Sequence, residues 1–175
     1  MDSREVVIES ANNAAGYVGT EQFVKLVKLA ITMVGAEIAR HVRPDERPGM
    51  LVPVGFEENG KLVTGALLAL EERAIVGWTT GTLRIRNFEA VVPYDSVERC
   101  EVEVHDGRDV LEMTTQERVW SFVVYMEPDA PKLAPLVQGV MEGWARFEYE
   151  DVEPGETEQK EHNVTDEPQS EKNDN

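Results

Sequence analysis

The chain has 175 residues, 34 of them acidic and 17 basic, giving a formal net charge of −17, and 41 % of its residues are hydrophobic. That length and apolar content build one modest core, so the expectation is one compact domain with appendages. The charge argues against nonspecific nucleic-acid binding, which needs Lys and Arg to neutralise phosphates, and works against docking on anionic membranes.

Cys100 is the only cysteine, so no intramolecular disulfide forms and no zinc site rests on thiolates. The opening MDSREVVIES has neither the basic start nor the apolar run of a secretory signal. The most apolar long segment, 23–42, is interrupted by Lys25, Lys28, Glu37 and Arg40. Each charge at the centre of a membrane span costs about 2.5–3.5 kcal/mol on insertion scales, so a cytoplasmic chain is expected. Asn163-Val164-Thr165 matches a glycosylation sequon, which without an export signal reads as chance.

Two zones and a tail follow one another without internal repeat. Residues 1–48 are expected to hold one amphipathic helix and a Pro-containing linker, 49–146 a β-rich domain closed by a helix, and 147–175 an acidic disordered tail. The first helix is predicted to start at Thr20 as N-cap, with Glu21 in its first turn where a negative charge suits the helix dipole. Glu21, Lys25, Lys28 and Thr32 share one narrow polar stripe. The apolar residues between Phe23 and Val34 fill roughly 220° of the circumference, whereas a helix resting on one surface needs only about 100° or somewhat more. Such a helix is built to be covered on more than one side: by the domain and its own termini, or by a partner. On the second reading Phe23, Val27, Ile31 and Val34 are the candidate partner-binding residues. The pattern fades after Gly35, and Arg43-Pro44 and Arg47-Pro48 mark an extended linker.

Candidate strands lie at 62–70, 74–79, 82–86, 88–93, 97–104, 109–115 and 119–126. Alternation is plain in 97–104, where Cys100, Val102 and Val104 oppose Arg99, Glu101 and Glu103. Asn59-Gly60 and Asp106-Gly107 favour the positive φ angles of tight hairpins. Seven short strands joined mostly by hairpins make an antiparallel meander long enough that it must curl or close. The next segment places Leu133, Leu136, Val137, Val140, Met141 and Trp144 on one helical face. Pro135 puts the start of this helix near residue 133, since further inside a helix it would remove a hydrogen bond. A helix at 133–146 with such a face can plug the open end of a curled sheet. The tail has eleven Asp and Glu against two Lys, a net of −9 that leaves −8 for the preceding 146 residues. It is too poor in apolar groups to offset its ordering entropy.

Residues 62–146 resemble a bacterial pleckstrin-homology-like domain. The likeness rests on LLALEERAIVGWTT (67–80), GTLRIRNFEAVVPYDSVERCEV (81–102), DVLEMTT (109–115), VWSFVVYM (119–126) and the helix LAPLVQGVMEGW (133–144). The resemblance implies an α+β, mainly β fold: an antiparallel seven-strand split barrel capped by a C-terminal helix, here with an extra N-terminal helix. It also implies a noncatalytic module that binds proteins or self-associates, with phospholipid binding as the alternative. For that alternative the candidate residues are Arg73, Arg84 and Arg86. Glu71-Glu72-Arg73 in the matching loop puts two carboxylates where phosphate binding would want lysines.

The residues suggest no catalytic, cofactor or metal site. His41, His105 and His162 lack zinc-site spacing, and Ser96 and Ser121 lack a Gly-x-Ser-x-Gly elbow. Gly77-Trp78-Thr79-Thr80-Gly81 lacks the Lys-Ser/Thr ending of a phosphate loop. The adjacent Glu pairs read as charged turns, and Cys100 as a buried thiol. The expectation is a cytoplasmic protein-interaction or scaffold module with a protein partner or a second copy of itself.

Overall fold

The structure, a computed structural model, describes residues 1–81, 85–124 and 132–143. Two helices open the chain, not one. Helix α1 (Ser3–Val18) is closed at both ends by local chemistry. The Asp2 carboxylate accepts from the Arg4 and Glu5 amides at 2.8 Å each, and Glu5 accepts from the Asp2 amide at 2.7 Å. Gly19, at φ 74, ends the helix in the left-handed conformation. Its buried face is made mostly of small residues, Val6, Val7, Ser10, Ala11, Ala14 and Val18, so its amphipathic contrast is faint. Helix α2 (Glu21–Ala39) follows after two residues, with Thr20 as N-cap accepting from the Phe23 amide at 3.3 Å. It runs past Gly35, where the apolar pattern fades, and buries Ile38.

Seven strands form one antiparallel sheet: β1 (Met50–Glu58), β2 (Lys61–Ala69), β3 (Arg73–Thr80), β4 (Arg86–Pro93), β5 (Val97–His105), β6 (Arg108–Thr115) and β7 (Val119–Val124). Their order is β4-β3-β2-β1-β7-β6-β5. The fold is α+β and mainly β, with an N-terminal helix pair and a C-terminal helix α3 (Leu133–Met141). Among the described residues the number of strands is the expected one, but their identity differs. β1 was not among the candidate strands, because Pro53 removes a backbone donor from its middle. Pro53 pairs with Ala66 of β2 all the same. Of the candidate strand at 82–86, Arg86 begins β4, Ile85 belongs to no element, and 82–84 lie outside the described residues. So do 125–126 of the last candidate strand, 144–146 of the closing helix and the tail at 147–175.

The expected Asn-Gly and Asp-Gly turns are present, with φ of 51° and 73° at Asn59 and Gly60 and 52° and 74° at Asp106 and Gly107. One face of the β1–β4 region carries the helix pair, and the other encloses the core that α3 joins through Leu133, Val137 and Val140. The wide apolar arc of α2 is thereby explained. Gly35 brings α2 against α1, where an added Cβ would lie 3.9 Å from Val7, and Gly77 on β3 brings Val34 and Ile38 onto the sheet. Inside the sheet Phe56 makes edge contacts with Trp78, Trp120 and Phe122 at centroid distances of 5.5, 5.6 and 5.4 Å. Among the described residues, no helix is long and apolar enough to cross a membrane.

Candidate functional site

The residues expected to receive a partner are mostly committed to the chain's own core. Phe23, Val27 and Val34 are 1, 3 and 0 % exposed, and Ile31 packs half-buried against the same cluster. A helix wedged between a second helix and a sheet uses both apolar flanks internally, and residues 3–18 supply the second cover. What α2 leaves outside is a narrower strip. Leu29 is 54 % exposed, and with Leu26, Ala30 and Met33 it borders an open groove of about 260 Å³. The floor is Pro53, Val54, Thr64 and Gly65 from β1 and β2. Gly65 is required there by packing, because a Cβ would sit 2.1 Å from the Gly77 carbonyl oxygen. Small floor residues beside long α2 side chains create the concavity. Leu62, two residues from Thr64 on the same face of β2, is also exposed. Lys25 and Lys28 are exposed on α2 beside this strip, Lys25 bridged to Glu21 at 2.7 Å.

The candidate phospholipid residues do not converge. Arg73 is turned inward and only 9 % exposed. Its Nε and Nη2 donate to Glu46 at 2.7 and 2.8 Å, and Nη2 also donates to the His41 carbonyl. Arg86 is exposed at the far end of the same ladder, paired with Thr80, while Arg73 pairs with Pro93. Seven residues of strand separate the two levels, roughly 23 Å. Arg84 lies outside the described residues. One anion cannot engage Arg73 and Arg86 together.

A second concavity of about 380 Å³ lies between the edge of β4 (Ala90–Pro93) and the turn at 115–118, with Trp120 in its wall. Arg118 stacks 3.6 Å from the Trp120 ring centroid and donates to Glu58 at 2.9 Å, so its charge is already engaged. Strands β4 and β5 end the sheet on either side. The β5 edge is partly covered, because Gln138 of α3 donates to the Cys100 carbonyl at 3.0 Å.

Burial shifts two titratable groups of β5 and the turn before it. Burial, with Glu142 and Glu101 adding negative charge, pushes the Cys100 thiol up to about 11. Burial also raises the Tyr94 phenol, which donates to the Leu70 carbonyl at 2.9 Å. Ser96 donates to the Pro93 carbonyl at 2.6 Å and Ser121 to Glu112 at 3.1 Å, so among the described residues neither serine hydroxyl is bonded to a histidine. One group of potential metal ligands does come together among the described residues: Glu103, His105 and Glu112. Sequence spacing alone hides it, since Glu112 arrives through the β5–β6 register. The Glu103-x-His105 step on one strand face was the available signal.

No protein-family model matches the chain, and no curated protein matches it significantly.

Proposed function

We propose that this chain is a noncatalytic, cytoplasmic interaction module that self-associates through the groove between α2 and the β1–β2 hairpin. The observation that carries this reading is the apolar strip of exposed Leu29 and half-buried Leu26 and Met33 beside the Pro53–Gly65 floor. It is a continuous apolar surface on a strongly acidic chain, flanked by two of its few lysines, Lys25 and Lys28. A second copy supplies the matching surface in a two-fold contact, and acidic side chains of that copy find the lysines. The strand order and the C-terminal helix support the resemblance to pleckstrin-homology-like modules, many of which bind proteins. Phospholipid binding has less behind it, because Arg73 is held by Glu46.

The test is light scattering over a concentration series on the full chain and on Leu29→Asp, with circular dichroism as the control for folding. Leu29 suits this because it is exposed, whereas charge at the buried Val27 would damage the core. A wild-type dimer that becomes monomeric in the folded variant supports the assignment. A wild-type monomer at all concentrations, or a dimer unmoved by the substitution, removes it.

A further inference from the structure

We propose that Glu103, His105 and Glu112 form a surface site for a divalent transition-metal ion of the zinc type. The site follows from strand geometry. Glu103 and His105 are alternate residues of β5 and share a face, and the antiparallel register sets Glu112 of β6 opposite Glu101, one step from Glu103. One potential ligand atom from each of the three lies within 4.8 Å of the other two. Zinc bonds of about 2.0–2.2 Å need ligand atoms closer still, which half-exposed Glu and His side chains reach by small rotations.

The donor set selects the ion. One imidazole nitrogen with two carboxylates suits zinc and its neighbours, whereas calcium and magnesium prefer all-oxygen shells. Two carboxylates also match a divalent charge. The surrounding electrostatics leave a place for it, since Glu101, Glu103 and Glu112 crowd one face and like charges across a strand pair repel. Arg99 bridges to Glu101, and His105 Nε2 lies 2.9 Å from Glu103. Glu112 accepts from the Ser121 hydroxyl at 3.1 Å, and Arg99 attracts it and Glu103 at longer range. Arg108, the cross-strand neighbour of His105, makes no ion pair with the three among the described residues. Ser121 orients the Glu112 carboxylate, as a second ring of hydrogen bonds does around metal ligands. With three protein ligands, the fourth position faces water.

Isothermal titration of the full chain with zinc chloride in a non-chelating buffer tests the assignment, alongside His105→Ala, Glu112→Gln and the distant exposed control Glu57→Gln. Wild type and Glu57→Gln should bind one ion with equal affinity, and each of the other two should lose at least tenfold while remaining folded by circular dichroism. Excess magnesium should not displace the zinc. Cobalt(II) added to wild type should give a visible absorption band that His105→Ala lacks. The site is disproved if zinc produces no binding heat with wild type. It is equally disproved if either ligand variant keeps wild-type affinity, or if Glu57→Gln loses as much as they do.

Discussion

Arg73 and Glu46 are joined by two parallel hydrogen bonds, Nε to Oε1 at 2.7 Å and Nη2 to Oε2 at 2.8 Å, although 27 residues separate them. Glu46 Oε2 also accepts from the Arg43 amide at 2.6 Å, and Arg73 donates to the His41 carbonyl. The pair therefore ties the first residue of β3 to the loop that leaves α2, holding the helix pair to the sheet. The side chains are 11 and 13 % exposed, so removing one partner leaves the other charged and largely dehydrated. Arg73→Ala or Glu46→Gln should cost about 3–5 kcal/mol in urea unfolding. Arg73→Lys should recover only part, because an ammonium cannot reproduce the two-pronged geometry.

Ser10 makes a similar tie from α1. Its hydroxyl donates to the Val6 carbonyl at 2.7 Å and accepts from the Gly49 amide at 2.9 Å, in a buried position. Ser10→Ala strands the Gly49 amide and should destabilise by about 1–3 kcal/mol. Hydrogen exchange at Gly49 should accelerate more than at neighbouring amides, which a general loss of stability would not produce.

Two strand glycines should respond to alanine unequally. At Gly77 the new Cβ would lie 2.9 Å from Ile38 Cγ1 and 3.0 Å from Val34 Cβ, contacts that a small shift of α2 relieves. About 1–3 kcal/mol is expected. At Gly65 the obstacle is the Gly77 carbonyl oxygen, 2.1 Å away, so the β2–β3 ladder itself must distort. Gly65→Ala should lower the melting temperature more than Gly77→Ala, and the reverse order would contradict this packing.

Cys100 should alkylate slowly in the native protein at neutral pH, because its thiol is pushed up to about 11 from an ordinary 9.0 by burial, then by Glu142 and Glu101. Unfolding in urea should restore ordinary reactivity. The folded thiol holds its proton in a range where the unfolded thiol has lost it. Its contribution to stability is therefore complete below about pH 9 and disappears as the pH rises towards 11. The urea midpoint should fall more steeply across that window in the wild type than in Cys100→Ala.

The readable parts of the sequence were those encoded by local chemistry. Thr20 as N-cap and the Asn59-Gly60 and Asp106-Gly107 turns depend on backbone preference and near neighbours, and each stands where expected. The alternation expected around Cys100 does not carry through β5, where Val104 is 62 % exposed while Glu101 and Glu103 are half-buried. Helix α1 was legible in principle through the Asp2–Glu5 capping box and Gly19. Its small buried residues give too little contrast between faces for periodicity to reveal it. Strand β1 was obscured by Pro53, which lacks a backbone donor yet pairs with Ala66 of β2.

Composition and local pattern by themselves determined a mainly β chain with an acidic balance, a helix too apolar for one contact, and tight antiparallel hairpins. Only the tertiary structure decided what covers that helix. An apolar arc records how much surface must leave water but not against what, so Phe23, Val27 and Val34 could be assigned to a core only once α1 and β3 were in place. The same holds for charge. Arg73 reads as an available cation until Glu46 is brought to it across 27 residues, and Glu112 reads as one acid among many until strand pairing sets it opposite Glu101, with a carboxylate oxygen within 4.8 Å of a His105 ring nitrogen. Pairings of that kind depend on long-range register, which no local property of the chain encodes.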